Sequence, residues 1–341
     1  MPTSPAPGTD AGLVIPNYVD VLEAAEQIAD HTIRTPLLES PLLNEKLGGR
    51  LLVKAECLQL AGAFKFRGAY NRISRLSEEE RKAGVVAFSS GNHAQGVALA
   101  AKMLGAPAVI VMPKDAPAMK LENTRAYGAE IVLYDRASEN REDISQQLAA
   151  ERGATLVPSY NDPHIIAGQG TVGLELARQA RDMGADLDAV IMPCGGGGLS
   201  SGTALAVSHD CPRTELYTAE TKGFEGMMQS LAAGERVSAD AGGAQSFCDA
   251  LLLPKPGEIT FSINKGLLNG GFAISDTDTA RAMAAAFRYL KIVVEPGGAV
   301  ALAAVLTGAY DCRDKTVCVI CSGGNVDGEV FAEAIGQGDG L

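Results

Sequence analysis

The chain has 341 residues, which is large for a single hydrophobic core and favours two domains. Hydrophobic residues make up 46% and charged residues 21%, an ordinary globular composition that excludes disorder over most of the chain. The formal net charge of −12 argues against nucleic acid or an anionic membrane surface as a partner, and no apolar run has the length of a membrane span.

The seven cysteines are an odd number and are scattered singly, which favours reduced thiols in a cytoplasmic protein. Cys318 and Cys321 have CxxC spacing, but they lie in an apolar, β-branched run that predicts a buried strand. Positions three apart on a strand point to opposite faces, so we expect both thiols to be core residues. The segment 1–10 has the composition of a loose tail and not that of a signal peptide.

Hydrophobic periodicity predicts a helix over 18–29, a short helix over 41–47 and a strand over 50–56. From Gly84 onward, a unit of strand, helix, glycine and strand recurs. The predicted strands of this series are 85–88, 108–112, 130–134 and 155–157, and its helices are 94–104, 118–127 and 138–152. This order is typical of βαβ units and predicts a parallel sheet.

A second series of the same kind follows. Its predicted strands are 188–193, 216–220 and 316–321, and its helices lie within 168–183 and over 199–208, 276–290 and 295–306. Ser275 is the expected N-cap of the helix that begins at 276. The region 221–270 is rich in loop residues and gives no clear element. The fold class is therefore α/β, with two parallel-sheet domains that carry helices on both faces.

The stretch from Ala61 to Ala69 holds one lysine, Lys65, between Phe64 and Phe66. Apolar neighbours disfavour the ammonium form, so the amine becomes a usable nucleophile that forms Schiff bases with carbonyl compounds. The alternative is a surface lysine whose stem covers two core phenylalanines. The lysine stretch alone does not decide between them.

A run of four glycines, 195–198, lies where a predicted strand ends and a predicted helix begins. Without Cβ atoms, the backbone N–H groups can converge on an anion, and the helix N-terminus adds a positive end. Phosphate is the natural guest. The pattern is neither the dinucleotide fingerprint nor the loop of nucleotide hydrolases. A flexible linker is the alternative, which the flanking strand and helix disfavour.

Two further strand-to-helix turns carry polar side chains. The first holds Ser89, Ser90, Asn92 and His93, whose hydroxyl and amide groups can hold a carboxylate; the alternative is an N-cap with an Asx turn. The second begins at Ser322, whose hydroxyl can bond a ring nitrogen. Ligands of open α/β sheets bind outside these strand ends.

Together these stretches resemble the fold-type-II pyridoxal-phosphate (PLP) enzymes, the fold of the tryptophan synthase β chain, in the group of threonine ammonia-lyases, serine racemases and 3-hydroxyaspartate dehydratases. The resemblance covers almost the whole chain. The motifs that carry it, besides the lysine and glycine stretches, are Arg34-Thr-Pro-Leu37, Asp115-Ala-Pro-Ala-Met-Lys120, Ile166-Ala-Gly-Gln-Gly-Thr-Val-Gly-Leu-Glu175 and Ser322-Gly-Gly-Asn325.

The resemblance implies a role for each matching residue. Lys65 would bind PLP covalently and move protons on one face of it, and Phe64 would pack on its ring. Asn92 would bond the phenolic oxygen of PLP and Ser322 would face the ring nitrogen. The phosphate would be bound by the backbone amides of Gly195, Gly196, Gly197, Gly198 and Leu199.

The substrate would be an amino acid whose carboxylate lies among Ser89, Ser90 and His93, with Ser90 on the ring face opposite Lys65. Arg141 matches an arginine that reaches the substrate side chain and would suit a second carboxylate. The alternative is an exposed helical arginine that pairs with neighbouring glutamates.

Three departures from the family pattern bear on the site. Ala63 lacks a hydroxyl that the family usually has, and Ala250 replaces a glycine against the ring. Glu220 matches one acidic metal ligand of racemase-like members, but Gly226 stands where a second is expected. A divalent-cation site is therefore not carried over, and Glu220 is alternatively a charge at a strand end.

The implied reaction is β-elimination, in which a 3-hydroxy amino acid of the serine, threonine or 3-hydroxyaspartate type yields a 2-oxo acid and ammonia. Ser90 opposite Lys65 also suits a serine or aspartate racemase, because it could deliver a proton to the second face. A third hypothesis is a PLP-binding or amino-acid-binding regulator without turnover.

The same resemblance implies a large PLP-binding domain from 1–83 and 162–341, and a small mobile domain at 84–161 that closes on substrate. It also implies a homodimer.

Overall fold

The computed structural model describes residues 13–340, so the predicted tail at 1–10 lies outside the described residues. The described chain forms two sheets with helices packed on their faces. Its strands are β1 (Leu37–Glu39), β2 (Arg50–Ala55), β3 (Val85–Phe88), β4 (Ala108–Pro113), β5 (Glu130–Tyr134), β6 (Thr155–Leu156), β7 (Ala189–Pro193), β8 (Glu215–Thr221), β9 (Gly270–Ile274) and β10 (Thr316–Cys321).

The helices alternate with these strands along most of the chain. They are α1 (Tyr18–Ile28), α2 (Pro41–Leu47), α3 (Lys65–Ser74), α4 (Glu78–Ala83), α5 (Asn92–Leu104), α6 (Ala118–Ala126), α7 (Arg141–Arg152), α8 (Pro163–Asp182), α9 (Gly198–Asp210), α10 (Gly226–Ala233), α11 (Glu258–Leu267), α12 (Asp276–Ala285), α13 (Pro296–Leu306) and α14 (Gly328–Gly336).

The larger sheet has six strands in the order β1-β2-β10-β7-β8-β9. All neighbouring pairs are parallel except β1 with β2, which is antiparallel. The central strand β10 is apolar and buried because helices cover both faces of the sheet. Cys318 and Cys321 lie in different hydrophobic clusters on its two sides, which confirms that they are separate core thiols.

The smaller sheet has four parallel strands in the order β5-β4-β3-β6. All four come from the stretch between residues 85 and 156, in agreement with the predicted series of βαβ units. The two parallel sheets confirm the α/β fold class. The division of the chain into a large domain and a mobile small domain at 84–161 stays a prediction.

A buried ion cluster anchors the start of α3. The Arg67 guanidinium, which is fully buried, bonds Glu56 at 2.8 Å through Nε and Glu175 at 2.8 Å through Nη1. Lys54, also fully buried, bonds Glu175 at 2.6 Å. Each charge therefore has an opposite charge beside it, as buried ions require. The cluster ties α3 to the end of β2 and to α8.

The structure differs from the predicted elements mainly where the local signal is weak. The region 221–270 contains α10 and α11, and β9 begins at its end; this edge strand starts with two glycines, which hide its strand character. The helix expected over 276–290 is α-helical to Ala285 and continues as a π-helical turn to Leu290. Ser275 caps it as expected, accepting a bond from Asp278 N.

No helix of residues 13–340 combines the length and apolar character that crossing a bilayer requires.

Candidate active site

One cavity of about 470 Å³ lies at the carboxyl ends of the strands, and both sheets contribute to its walls. Residues remote in the chain meet there. They include every site residue predicted above apart from Glu220, namely Phe64, Lys65, Ser89, Ser90, Asn92, His93, Arg141, Gly195, Gly196, Gly197, Gly198, Leu199 and Ser322. The amine and the glycine turn therefore share one chamber, and the roles predicted for these residues become testable proposals.

Lys65 is the first residue of α3, and its Nζ lies 5.2 Å from the centroid of the Phe64 ring. The amine donates a hydrogen bond of 2.6 Å to the backbone oxygen of Ser159. Burial lowers the pKa of Lys65 to about 8. Phe66 points away into a separate core with Tyr70, so only one of the two flanking rings borders the amine. Near neutral pH, a useful fraction of Lys65 is uncharged and nucleophilic.

The glycine turn has no space for side chains. A Cβ atom at Gly196 would lie 2.6 Å from Tyr160 Cδ2 and closer still to two other ring atoms. Gly197 has a φ of +96°, which side-chain-bearing residues rarely adopt, and a Cβ there would lie 2.9 Å from Thr260. Glycine is therefore required at both positions, and the loop backbone borders the cavity directly.

Hydrogen bonds occupy the carbonyl groups of this turn. Thr260 Oγ1 donates to Gly196 O at 2.7 Å, and Ser200 Oγ donates to Gly197 O at 3.0 Å. Within residues 13–340, no backbone acceptor is paired with the N–H groups of Gly196 and Gly197. Helix α9 begins directly after them. Free donors at a helix N-terminus form an anion site, and phosphate fits it.

The turn after β3 combines a local side-chain bond with a free hydroxyl group. Ser89 Oγ accepts a hydrogen bond of 3.1 Å from Gly91 N, so this side chain stabilises the turn. The Ser90 hydroxyl has no hydrogen-bond partner within the described part of the chain and lines the cavity. The alternative interpretation, a local turn, therefore accounts for Ser89 but not for Ser90.

Asn92 is held at both ends of its amide. Its Nδ2 donates to Glu295 Oε1, and its Oδ1 accepts a bond of 2.9 Å from Asn325 Nδ2. These two contacts assign the orientation of the amide, which leaves one N–H of Nδ2 for a ligand in the cavity. This geometry suits the predicted bond to a phenolic oxygen.

The side chain of His93 does not suit the carboxylate role proposed for it. Its Nε2 lies 2.8 Å from Val157 O, which can only accept, so Nε2 carries the proton and Nδ1 is a bare acceptor. Burial and the charge of Lys65 lower the pKa of His93 to about 3, which keeps it neutral. An unprotonated nitrogen repels a carboxylate, so His93 can donate a hydrogen bond to the substrate carboxylate only through its backbone N–H.

Arg141 is the first residue of α7, and its guanidinium carbon lies 5.2 Å from the centroid of the Phe88 ring. Among residues 13–340, no carboxylate lies within ion-pair distance of it, so neighbouring glutamates do not neutralise it. An arginine that is stacked on an aromatic ring and unpaired in a cavity is ready to receive an anionic group.

Ser322 directly follows β10 and is almost fully buried. Its carbonyl oxygen accepts a bond of 3.1 Å from Phe64 N, which ties the third turn to the lysine segment. Ala250 borders the cavity, and its methyl group packs where Gly297 has no side chain, because a Cβ at 297 would lie 3.1 Å from it. The extra methyl group of Ala250 is accommodated there.

Glu220 lies outside the cavity and serves a local purpose. It is fully buried; Oε1 accepts from Met227 N and Oε2 accepts from Met228 N, both at 2.8 Å, so the side chain caps α10. Burial raises the pKa of Glu220 to about 8. In the described part of the chain, no group of three His, Cys, Asp or Glu residues is arranged to hold a metal ion.

Sequence reasoning missed the residues that support the site from behind. Tyr160 packs against the glycine turn, Thr260 holds its carbonyl, and Lys120, Asp249 and Glu295 form a buried ion cluster. Lys120 ends one of the motifs that carry the family resemblance, which gave it no role, and the other residues give no local signal beyond a polar side chain beside an apolar run. Their function depends on contacts between distant segments.

The geometry thus defines a class of site: an amine with a lowered pKa and a phosphate cradle, separated by a chamber that holds polar groups for a ring and an amino acid. A phosphorylated aldehyde fits it, because the lysine binds the aldehyde and glycine N–H groups bind the phosphate. Residues 28–323 match the family model described as "Pyridoxal-phosphate dependent enzyme". The chain belongs to this family, and its cofactor is pyridoxal phosphate.

Similar proteins span nearly the whole chain. An L-threo-3-hydroxyaspartate ammonia-lyase of Saccharomyces cerevisiae is 42% identical over 96% of this chain and 99% of its own length. A serine racemase of Schizosaccharomyces pombe is 40% identical over 95% of this chain and 99% of its own. The structure of maize serine racemase superimposes with a TM-score of 0.87 at 38% identity, covering 95% of this chain and 98% of that one.

Proposed function

We propose that this protein is a PLP-dependent ammonia-lyase that converts 3-hydroxyaspartate, in preference to serine or threonine, into a 2-oxo acid and ammonia. The observation that carries the choice of substrate is the unpaired Arg141 guanidinium in the cavity that holds Lys65 and the glycine turn. The ammonia-lyase of Saccharomyces cerevisiae described above is named for this substrate.

When bound, PLP draws electrons from the substrate so that the Cα–H bond becomes acidic. Lys65, with its pKa of about 8, is placed to take that proton at Nζ. The Cβ hydroxyl leaves with a proton as water, so that loss of the Cα proton and of the hydroxyl together removes one water molecule. Hydrolysis of the resulting enamine consumes one water molecule and releases ammonia. The net change is therefore one 3-hydroxy amino acid to one 2-oxo acid and one ammonia.

The neutral Ser322 hydroxyl supports elimination over transamination. An aspartate at this place would hold the ring nitrogen protonated, whereas a serine does not. A weaker electron sink disfavours reactions in which the Cα carbanion must persist, and it leaves departure of the Cβ hydroxyl as the favoured path.

Arg141 would receive the second carboxylate of the substrate. A bidentate arginine–carboxylate pair binds strongly and imposes a direction on the substrate side chain. Serine and threonine offer only a hydrogen atom or a methyl group to this guanidinium, so they would leave it unpaired. The amino-acid carboxylate would lie on the Ser90 side, at the N-terminus of α5.

A substrate panel tests this proposal. Purified holoenzyme is given the stereoisomers of 3-hydroxyaspartate, serine and threonine, and oxo acid and ammonia are measured. We expect the highest kcat/KM with a 3-hydroxyaspartate isomer. Arg141→Met should lower that value roughly 10- to 150-fold and leave serine turnover almost unchanged. Equal losses for all substrates would contradict the assignment of Arg141, and absence of any oxo acid would contradict the proposed reaction.

A racemase is the second candidate, because the free Ser90 hydroxyl lines the same cavity as Lys65 and because a serine racemase is among the similar proteins. A proton taken by Lys65 and returned by Ser90 on the other face would invert Cα. Chiral analysis of substrate recovered after partial turnover separates the two functions. Inverted substrate that disappears in Ser90→Ala would favour the racemase.

Three further properties belong to the same proposal. The four-stranded part, 84–161, would close on substrate, since Ser90 and Arg141 come from it and Lys65 comes from the other part. The protein would form a homodimer and act in the cytoplasm, where its seven free thiols stay reduced. Small-angle scattering with and without a substrate analogue tests closure, and light scattering should give twice 35.3 kDa.

A further inference from the structure

A buried ion cluster lies behind the cavity. Lys120, on α6, is 2% exposed, and its Nζ lies 2.7 Å from Asp249 Oδ2. The same atom forms an ion pair of 3.2 Å with Glu295 Oε2. Glu295 is also buried, immediately before α13, whereas Asp249 is partly exposed and borders the cavity.

A single side chain, that of Glu295, separates the Lys120 ammonium from the Asn92 amide. Glu295 binds Lys120 through one carboxylate oxygen and accepts the Asn92 Nδ2 bond through the other. The ammonium also lies directly beneath the turn, because a Cβ atom at Gly91 would be 3.3 Å from Lys120 Nζ. A change in the Lys120 charge is therefore transmitted to Asn92 through a single carboxylate.

The positive charge of Lys120 favours the ionised form of Glu295. Burial raises the pKa of Glu295 above its usual range, and the neighbouring Asp249 adds to this, while Lys120 opposes both. An ionised Glu295 can only accept, which fixes the Asn92 amide with its Nδ2 towards Glu295. A protonated Glu295 would be a donor and would compete for the Asn92 oxygen that Asn325 now occupies.

Burial of an ammonium costs free energy unless the charge is paired, so an apolar side chain in this space would give a more stable fold.

The cluster also spans the two halves of the molecule. Lys120 comes from the part built on the four-stranded sheet, whereas Glu295 and Asp249 come from the part built on the six-stranded sheet.

We propose that Lys120 is a positioning residue that holds the Asn92 amide, through Glu295, in the orientation that binds the phenolic oxygen of PLP. The proposal rests on the role given to Asn92 in the proposed function. Lys120 does not touch the cofactor in this scheme. It sets the charge of the group that holds Asn92.

The test compares Lys120→Met, Glu295→Gln and the double variant with Lys114→Met, an exposed control in the turn before α6. PLP affinity is measured by absorbance titration of apoprotein, together with the absorbance maximum of the bound cofactor and the steady-state constants. We expect Lys120→Met and Glu295→Gln each to weaken PLP binding about tenfold and to shift the absorbance maximum. The double variant should bind PLP no more weakly than the single variant with the lower affinity, because both substitutions act through one contact, between Glu295 and Asn92.

Wild-type affinity and an unshifted spectrum in Lys120→Met would overturn the proposal, as would losses that multiply in the double variant. If Lys120→Met does not fold, Glu295→Gln decides alone: its side chain keeps the shape of glutamate and loses the charge, so an unchanged cofactor spectrum refutes the scheme. Turnover of 3-hydroxyaspartate by the wild type is measured in parallel. Its absence would refute the proposed reaction and leave the spectroscopic result on Lys120 standing.

Discussion

Replacement of Gly196 by alanine is the sharpest perturbation of the turn to which we assign the phosphate. The new Cβ would lie 2.6 Å from Tyr160 Cδ2, whereas non-bonded carbon atoms rest about 3.5–4.0 Å apart, so the turn or the ring must move by about 1 Å. Displacement of one backbone N–H from a phosphate removes a charge-assisted hydrogen bond of about 1.5–3 kcal/mol. We therefore expect PLP to bind roughly 10- to 150-fold more weakly.

The assay is an absorbance titration of apoprotein with PLP. Gly266→Ala is the matched control, because Gly266 lies in α11 with open space around its Cβ position, and alanine there favours the helix. Tyr160→Ala in the Gly196→Ala background should restore part of the affinity, since it removes the ring that the methyl group strikes. Wild-type PLP affinity in Gly196→Ala would refute the assignment of this turn to the phosphate.

Four other predictions concern charged groups within the fold and the site. Arg67→Met should lower the free energy of unfolding of the apoprotein by about 3–5 kcal/mol in denaturant titrations, because it removes the cation bonded to the fully buried Glu56 and leaves Glu175 with Lys54 alone; a loss below 1 kcal/mol, within the range of an ordinary surface pair, would contradict this. The rate at which apoprotein takes up PLP should rise with pH through about 8 and level off above it, since the Lys65 ammonium cannot attack an aldehyde; stopped-flow absorbance measures it, and a rate that stays flat through this range would count against the lowered pKa. Dialysis against a chelator should leave turnover unchanged, and a loss of activity that Mg²⁺ restores would show a cation site instead. Glu220→Gln should lower the Tm of the apoprotein, because both Glu220 oxygens accept backbone hydrogen bonds at the start of α10.

The fold was predictable where local pattern and tertiary structure agree. The bounds of α2, β3, β5 and β10 are those predicted from periodicity and glycine positions. The buried parallel strands β3 and β10 are short apolar runs with clear ends, β5 is an apolar run on an edge, and glycine ends α2. Helix α14, the short strand β1 and the elements within 221–270 were not predicted. Their patterns are short or interrupted by glycine and proline, and neighbouring elements stabilise them more than local propensity does.

The residues that line the cavity were also predictable, because they stand at strand ends in stretches of unusual composition. The orientation of the His93 ring was not, since it depends on a contact with Val157, 64 residues away. The same holds for the bond between Asn92 and Glu295, which joins positions 203 residues apart. Such pairings are created by the topology and leave no spacing for a sequence pattern to reveal.

The most direct measurement is to locate the lysine that binds the cofactor. Holoenzyme is reduced with borohydride, which makes the link between lysine and PLP permanent, and the modified peptide is identified by mass spectrometry. We expect the pyridoxyl group on Lys65 alone. Its appearance on another buried lysine, such as Lys54 or Lys120, would contradict the account of this cavity as the cofactor site.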